Sequence, residues 1–338
     1  MTTYVRTQEI SHEIGGRGRF ALRVTSPDVE LRAGDGTTAS VRIKIELRAG
    51  SEEEADELFE GMRFHVRQAD GVLEVTEPRR DDSGIGSIVR LLGIGSARVD
   101  DASVDAVLPP GTEIAFEGVS TDLTASGFDG SQQYRTVSGD MVLDHVAGDV
   151  RVRDVSGDVS IRAEEPLRLE MHTVSGDISA VAPRFESLRL VTVSGDVELE
   201  GEFAADGQHR VETVSGDLSL GVVDGLTLEV RGLSSDTRVS VPHRSEGSRD
   251  RRRYIIGDGE GSLQFSSMSG DVAVRPGRRA SAPAPPTPPT PPGAPTPPTS
   301  PIPAVADDEQ MEILRALEAG EIDVDEATAR LAGRTADV

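Results

Sequence analysis

The tetrapeptide Val137-Ser-Gly-Asp140 recurs unchanged along the middle of the chain, at Val155–Asp158, Val174–Asp177, Val193–Asp196 and Val214–Asp217. Altered copies stand at Val119–Asp122, Leu233–Asp236 and Met268–Asp271. The serines of these copies follow one another at intervals of 18, 18, 19, 19, 21, 19 and 35 residues. A steady period near 20 residues is typical of a solenoid, in which each repeat forms one turn of a coil.

Apolar and polar residues alternate on both sides of each tetrapeptide. Leu169 and Met171 precede the third unchanged copy, and Ile178 and Ala180 follow it. A period of two residues predicts a strand on each side. The sequence therefore predicts a mainly β protein, in which residues 99–276 form a parallel β-solenoid with an aliphatic interior.

Turn-forming residues separate the strands of successive repeats, as in Glu164-Glu-Pro166. Each repeat is thus predicted as strand, turn, strand and Ser-Gly-Asp turn. The interval of 35 residues is interpreted as a polar loop, Pro242–Asp258, inserted into an otherwise regular array.

Composition excludes several classes of function. The chain has 338 residues, no cysteine and a formal net charge of −24 at pH 7. That charge repels a phosphate backbone, so nucleic acid is not an expected partner, and the lack of cysteine excludes disulfides and thiolate metal sites. No run of about 20 apolar residues predicts a membrane span, and residues 1–15 lack the features of a secretory signal. A cytoplasmic location is expected, with peripheral contact with a membrane as the alternative.

The repeated phrase resembles a known family. Thr173-Val-Ser-Gly-Asp-Ile178 and Thr192-Val-Ser-Gly-Asp-Val197 are similar to the bacterial putative-adhesin family of β-strand-repeat proteins of unknown function, also called toastrack domains. The lead-in Val107-Leu-Pro-Pro-Gly111 is similar to the first rung of that family. The resemblance is strong over residues 100–275 and loose over 1–80. It implies a β-solenoid and a non-enzymatic role, often tied to envelope-stress sensing, and it implies no catalytic residues.

Residues 1–98 are predicted as an N-terminal β region that caps the first rung of the solenoid, because exposed ladder edges invite aggregation. Its strands are expected to be antiparallel or meandering. A short acidic helix is predicted at Ser51–Glu60, with Ser51 as its N-cap before three glutamates. An apolar, glycine-rich loop follows at residues 81–98. It either packs on the end of the solenoid or dips into a membrane surface or a partner's groove.

Two further segments follow the solenoid. Residues 277–306 are predicted as a proline-rich linker, and residues 307–334 as a helical hairpin. Two such short helices cannot form a full core alone, so the hairpin is expected to bind a protein partner or a second copy, with docking onto the solenoid as the alternative. The candidate partner-binding residues are its apolar side chains, Ile313, Leu314, Leu317, Val324 and Leu331.

The repeats place aspartates in one column, which is the obvious candidate for a site. Parallel rungs stack about 4.8 Å apart, so neighbouring carboxylates repel unless something offsets their charge. One explanation is a ladder of divalent cations; the other is structural, with each carboxylate bonded to amides of its own turn or to a neighbouring serine hydroxyl. The structural explanation is favoured, and no metal site is assigned. The cation ladder would comprise Asp140, Asp158, Asp177, Asp196 and Asp217.

No catalytic or cofactor-binding residue is predicted. The six histidines fall at unrelated positions of the repeat, and the chain contains no Gly-x-Ser-x-Gly, phosphate loop or His-Glu-x-x-His. An arginine cluster at Arg249 and Arg251–Arg253 is interpreted as a solvated loop, or as a contact with anionic lipid or an acidic partner. The expected function is a non-enzymatic interaction scaffold, a sensor-adaptor whose tethered hairpin recruits a partner. The alternative is a surface adhesin that binds an extracellular ligand.

Overall fold

The computed structural model describes residues 1–78, 98–234, 236–248 and 251–277. The N-terminal third contains β1 (Thr2–Glu13), β2 (Arg19–Arg23), β3 (Asp28–Ala33), β4 (Thr38–Ala49), α1 (Glu52–Met62), β5 (His65–Ala69), β6 (Val72–Thr76) and β7 (Arg98–Leu108). The repeats begin with β8 (Glu113–Glu117), β9 (Leu123–Ser126), β10 (Gln132–Arg135), β11 (Met141–Arg153), β12 (Val159–His172) and β13 (Ile178–Val191). They continue with β14 (Val197–Phe203), β15 (His209–Glu212), β16 (Leu218–Val222), β17 (Leu226–Ser234) and β18 (Thr237–Val239). The last strands are β19 (His243–Ser248), β20 (Arg251–Ile256), β21 (Gly261–Ser269) and β22 (Val272–Pro276).

The repeats stack as parallel rungs, which confirms the mainly β fold and the predicted direction of the strands. In each rung a first strand precedes the Ser-Gly-Asp turn, here called the corner, and a second strand follows it. Second strands pair in register, so that Val159, Ile178, Val197, Leu218 and Val272 form one column. Their side chains are at most 2% exposed. Such aliphatic columns, stacked rung on rung, are the core of the solenoid.

The turn expected at Glu164-Glu-Pro166 is a β-bulge within a longer strand. β12 runs through these residues without a break, and its register with β13 shifts between Arg162 and Leu167. The extra residues bend the strand while most of its ladder continues. One strand therefore serves as the second strand of one rung and the first strand of the next.

The C-terminal rungs do not stack in the order of the sequence, which corrects the expected regular array. The rung built from β21 and β22 lies directly on the rung of β15 and β16. The rung of β17 and β18, which comes earlier in the chain, pairs with the outer side of β21 and β22. The last rung in sequence is thus inserted between two earlier ones. Residues 242–258, expected as a loop, contribute an antiparallel hairpin, β19–β20, that extends β17.

The N-terminal region supplies rungs of its own as well as a cap. β2 pairs in parallel with both β6 and β8, and β3 pairs in parallel with both β7 and β9. The first rung in sequence is therefore inserted between the second and the third, as at the other end of the molecule. Thr25-Ser-Pro-Asp28 occupies its corner, since the Ser120 amide donates to the Thr25 carbonyl. The expected antiparallel strands extend the outermost of these rungs: β4 pairs with β7, β1 pairs with β4, and β5 pairs with β6.

Helix α1 closes the N-terminal end of the core. It begins after Ser51, whose Oγ accepts a hydrogen bond from the Glu54 amide at 3.2 Å, as the sequence predicts. Ala55 is fully buried, and Leu58, Phe59 and Met62 pack against the core. Because α1 leads from β4 on the second-strand side to β5 on the first-strand side, it crosses the end of the solenoid.

The described residues contain no helix that is long and apolar enough to span a bilayer. The apolar loop 81–98 lies outside the described residues except for the start of β7. The linker 277–306 lies outside them beyond Gly277, and the hairpin 307–334 lies outside them entirely.

Candidate ligand-contact surface at the solenoid corner

The corner is a tightly laddered turn. The Ser175 amide donates to the Val155 carbonyl of the preceding rung at 2.9 Å, and the same bond recurs from Ser138 to Ser269. Gly176 has a φ of +123°, and a Cβ built on it would lie 2.1 Å from the Gly157 carbonyl oxygen. Only glycine combines that backbone conformation with such close rung contact. The repeat thus fixes the corner backbone and leaves valine, serine and aspartate to face outward.

The aspartates form a continuous ladder along the corner, here called the aspartate row. In each rung the Asp amide donates to Oδ1 of the Asp in the rung before it, at distances of 2.8–3.0 Å. The order is Asp122, Asp140, Asp158, Asp177, Asp196, Asp217, Asp271 and Asp236. The structural explanation expected each carboxylate to bond amides of its own turn or a neighbouring serine hydroxyl. In the structure the carboxylate instead accepts from the aspartate amide of the next rung. It replaces a carbonyl in the inter-rung ladder.

The proposed cation ladder remains a prediction. The structure does bring Asp140, Asp158, Asp177, Asp196 and Asp217 together in one row, but an amide already takes one oxygen of each. Among the described residues, no group of three or more His, Asp and Glu side chains is arranged to hold a metal ion.

A row of exposed apolar side chains runs beside the aspartates. This valine row consists of Val119, Val137, Val155, Val174, Val193, Val214 and Met268, which are 44–57% exposed. At about 4.8 Å per rung it is roughly 30 Å long. The sequence does not predict this row directly, although each tetrapeptide begins with an apolar residue that is out of phase with the buried residues of the strand before it.

A shallow groove lies on the other side of the aspartate row. It has a volume of about 450 Å³ and is lined by Asp140, Asp158, Asp177 and Asp196 along one side. Small polar side chains of the second strands, among them Ser160, Ser179 and Ser219, also line it. Valine row, aspartate row and groove together form one elongated surface, here called the corner surface.

A column of buried hydroxyl groups supports the valine row from inside. Thr136, Thr173, Thr192 and Thr213 precede successive valines and are at most 8% exposed. The hydroxyls of Thr136 and Thr192 each donate to a serine carbonyl of their own turn at 3.2 Å. Asp154 takes the place of threonine in one rung and is 6% exposed.

Asp154 makes the corner sensitive to pH. Its Oδ2 accepts from the Thr173 hydroxyl at 3.2 Å, while its Oδ1 is buried without a partner. Burial raises its pKa to about 6, although the bond from Thr173 opposes the shift. The folded state therefore holds this proton more tightly than the unfolded chain, and the cost of ionising Asp154 is fully present above pH 6 and absent below about pH 4.

Replacing Asp154 by threonine is expected to stabilise the protein at pH 7 by on the order of 2 kcal/mol, because it removes a buried charge and restores the column. Urea unfolding of both chains between pH 4 and pH 8 measures the effect. The gain is expected to shrink as the pH falls from 6 to 4. An equal gain at pH 4 and pH 7 would show that packing, and not ionisation, is responsible.

The histidines do not converge on a reactive site. His145 lies on the bulge of β11 between Asp144, at 2.9 Å, and Glu164, at 3.1 Å. His209 is buried, and its Nε2 lies 3.0 Å from the Ala204 carbonyl oxygen. Neither imidazole is paired with a serine or threonine hydroxyl. The candidate partner-binding residues Ile313, Leu314, Leu317, Val324 and Leu331 lie outside the described residues.

Comparison with known families agrees with this architecture. The family described as Toastrack DUF4097 matches residues 19–275, which include the rung of β2 and β3 as well as the repeats. The chain belongs to the toastrack family. The toastrack region thus begins well before the first Ser-Gly-Asp copy and ends at the last rung. No curated protein is significantly similar to this toastrack chain.

Several solved structures match this toastrack chain at low sequence identity. A putative adhesin from Bacteroides fragilis is 11% identical, with 80% of this chain and 97% of that one covered and a TM-score of 0.36. A putative lipid binding protein from Parabacteroides distasonis is 13% identical, with 80% and 96% covered and a TM-score of 0.31. A putative cell adhesion protein from Clostridium sporogenes is 9% identical, with 80% and 99% covered and a TM-score of 0.25.

Proposed function

We propose that the protein is a non-enzymatic β-solenoid scaffold whose corner surface binds an elongated, positively charged partner. The observation that carries the proposal is the valine row, which repeats in seven stacked rungs beside the aspartate row. A continuous exposed apolar patch usually marks an interaction site, whereas single exposed apolar residues are common on any protein surface.

The two rows have separate roles in binding. Covering the valines removes apolar area from water and supplies affinity, at about 25 cal/mol per Å². The carboxylates attract a cationic partner from a distance and orient it along the corner. They also exclude a second copy from this surface, because two aspartate rows would face each other.

The partner is inferred to be elongated because seven stacked rungs offer the same kind of contact. One valine and one carboxylate bind weakly, whereas contacts repeated about every 4.8 Å along a single ligand add up. A small compact ligand would use only one or two rungs of the row.

Binding of a peptide of alternating arginine and valine, (Arg-Val)5, tests the corner surface. We expect Asp158→Asn with Asp177→Asn to weaken its binding at least tenfold by isothermal titration calorimetry at 50 mM salt. The amide oxygen of asparagine still accepts the ladder hydrogen bond, so the fold is kept while two charges are lost. Val174→Ser with Val193→Ser is expected to weaken binding about fivefold.

The matched control is Glu164→Gln with Glu165→Gln, which removes the same charge from exposed residues of the bulge in β12. It is expected to change the dissociation constant less than twofold. An equal loss in the control and the aspartate variant would mean that only net charge matters, which would contradict a binding surface at the corner.

We also infer that the scaffold acts as an envelope-stress sensor-adaptor in the cytoplasm or at the membrane surface. What supports this is the sequence beyond the solenoid, where a proline-rich linker leads to the apolar pattern Ile313, Leu314 and Leu317. A tethered segment would raise the local concentration of its partner near the solenoid.

Protease accessibility in intact cells, with fractionation, compares the full chain with one that ends at Pro303. Protection of the full chain, with membrane association lost on truncation, is the expected result. Cleavage from outside the cell would instead favour the surface adhesin. Identical partner recovery after truncation would remove the adaptor role of residues 307–334.

A further inference from the structure

The two ends of the solenoid carry opposite charge. At the N-terminal end, α1 crosses the core and exposes Glu52, Glu53, Asp56, Glu57 and Glu60. Arg6 bonds Asp56 at 2.6 Å and Glu52 at 3.4 Å, and Arg63 lies 3.5 Å from Glu60. Glu53 and Glu57 have no ion-pair partner among the described residues. The end face is therefore acidic.

The C-terminal end is basic although the chain as a whole is strongly acidic. Strands β19 and β20 contain Arg244, Arg251, Arg252 and Arg253 against the single acidic residue Glu246. Arg251 donates to Glu229 at 3.0 Å. The exposed Arg244 has no acidic partner within the part of the chain that the structure describes. Arg253 is also exposed, and its charge contributes to the lowered pKa of Glu229.

Each end also presents, on the same side of the molecule, a strand edge that pairs with no further strand among the described residues. At the N-terminal end, Gln8 of β1 bonds the Phe64 backbone and His12 Nε2 lies 2.7 Å from the Ala69 carbonyl oxygen, so side chains of β1 cover part of this edge. The ladder of first strands ends in β5 at the N-terminal end and in β19 at the C-terminal end. β5 runs antiparallel to the rungs, whereas β19 runs parallel to them, because β20 is antiparallel to both β17 and β19. A second copy translated along the axis would bring β19 of one molecule beside β5 of the next as antiparallel neighbours, which is an allowed pairing.

We propose that the protein associates head to tail, with the basic hairpin β19–β20 of one copy on the acidic α1 end of the next. Charges are screened over about 8 Å at physiological salt, so the ends meet without the full repulsion of two chains of charge −24. The contact is heterologous, since different surfaces meet, and it leaves both outer ends free for further copies. The surface is small, so we expect association at tens to hundreds of micromolar.

Sedimentation velocity of the full chain between about 5 and 500 µM, at 0.15 M salt, tests the proposal. We expect the sedimentation coefficient to rise with concentration. Arg244→Glu with Arg253→Glu makes both ends acidic, and Glu53→Arg with Glu57→Arg makes both ends basic. Each variant alone is expected to stay monomeric, whereas an equimolar mixture is expected to associate again. Failure of the mixture to associate would overturn the proposal.

The control is Arg168→Glu with Arg189→Glu, which makes the same charge change on exposed residues in the middle of the solenoid. It is expected to associate like the unaltered chain, and loss of association there would overturn the proposal.

A chain that ends at Gly277 is expected to associate too. A monomeric truncated chain would overturn the proposal, because association would then require the residues beyond 277. A third outcome would assign the basic end to lipid. In that case the protein is monomeric in solution, and the unaltered chain, but not the Arg244→Glu, Arg253→Glu variant, cosediments with phosphatidylserine vesicles.

Discussion

Replacing Gly176 by alanine is expected to destabilise the solenoid by about 4 kcal/mol or more. The new methyl group would meet the Gly157 carbonyl oxygen, which belongs to the backbone and cannot rotate away. To make room, the corner must open, and the ladder bonds of Ser175 and Asp177 to the preceding rung would lengthen. A loss of this size lowers the melting temperature by about 10 °C in a domain of this length.

Gly61→Ala is the matched control for this change. Gly61 lies in α1, and a Cβ there meets nothing within 4 Å. Alanine is the better helix former, so this variant is expected to be as stable as the unaltered chain or more stable by up to about 1 kcal/mol. A melting temperature for Gly176→Ala within about 3 °C of the unaltered chain would show that the corner tolerates wider spacing.

Ending the chain at Asp258 is expected to unfold most of the C-terminal half. This truncation removes β21 and β22, whose rung lies between that of β15 and β16 and that of β17 and β18. Four fully buried side chains are lost with it, Leu263, Phe265, Val272 and Val274. At about 2 kcal/mol each, their loss approaches the total stability of a typical domain.

A chain that ends at Gly277 serves as the control, because it keeps every described strand. Circular dichroism and thermal melting of the two truncated chains give the comparison. If the rungs stacked in sequence order, loss of the last one would shorten the solenoid at its tip with little effect on the rest. Equal melting of the two chains would support that simpler order and contradict the inserted rung.

The repeat predicts the solenoid itself because each interval of about 19 residues corresponds to one rung. It does not predict the order of the rungs, since the spacing of Ser234 and Ser269 is compatible with an inserted loop or with a return of the chain. The rung of β2 and β3 was missed because its corner, Thr25-Ser-Pro-Asp28, keeps the serine and aspartate but lacks the glycine. Strand alternation identified its strands but not their parallel partners, which depend on contacts distant in sequence.

Only part of the corner surface could be predicted from the sequence. The aspartate column was visible in the sequence, but its bonding was not, because an amide of the next rung is not a neighbour along the chain. The valine row was not predicted, because an apolar residue next to Ser-Gly-Asp is also typical of the end of a buried strand. Only the structure shows that these side chains are exposed. Asp154 was detectable as the exception in a column of threonines, although its burial required the structure.

The unchanged repetition of the corner has a consequence for how a partner would move. Five successive rungs carry the same Val-Ser-Gly-Asp sequence, so the surface is a one-dimensional lattice with a step of one rung. A ligand that covers three of these rungs has three equivalent placements, which add about 0.6 kcal/mol of favourable entropy. It can also slide by one step without losing all its contacts. Gain or loss of a whole repeat during evolution would then change the number of placements while leaving each contact as it was.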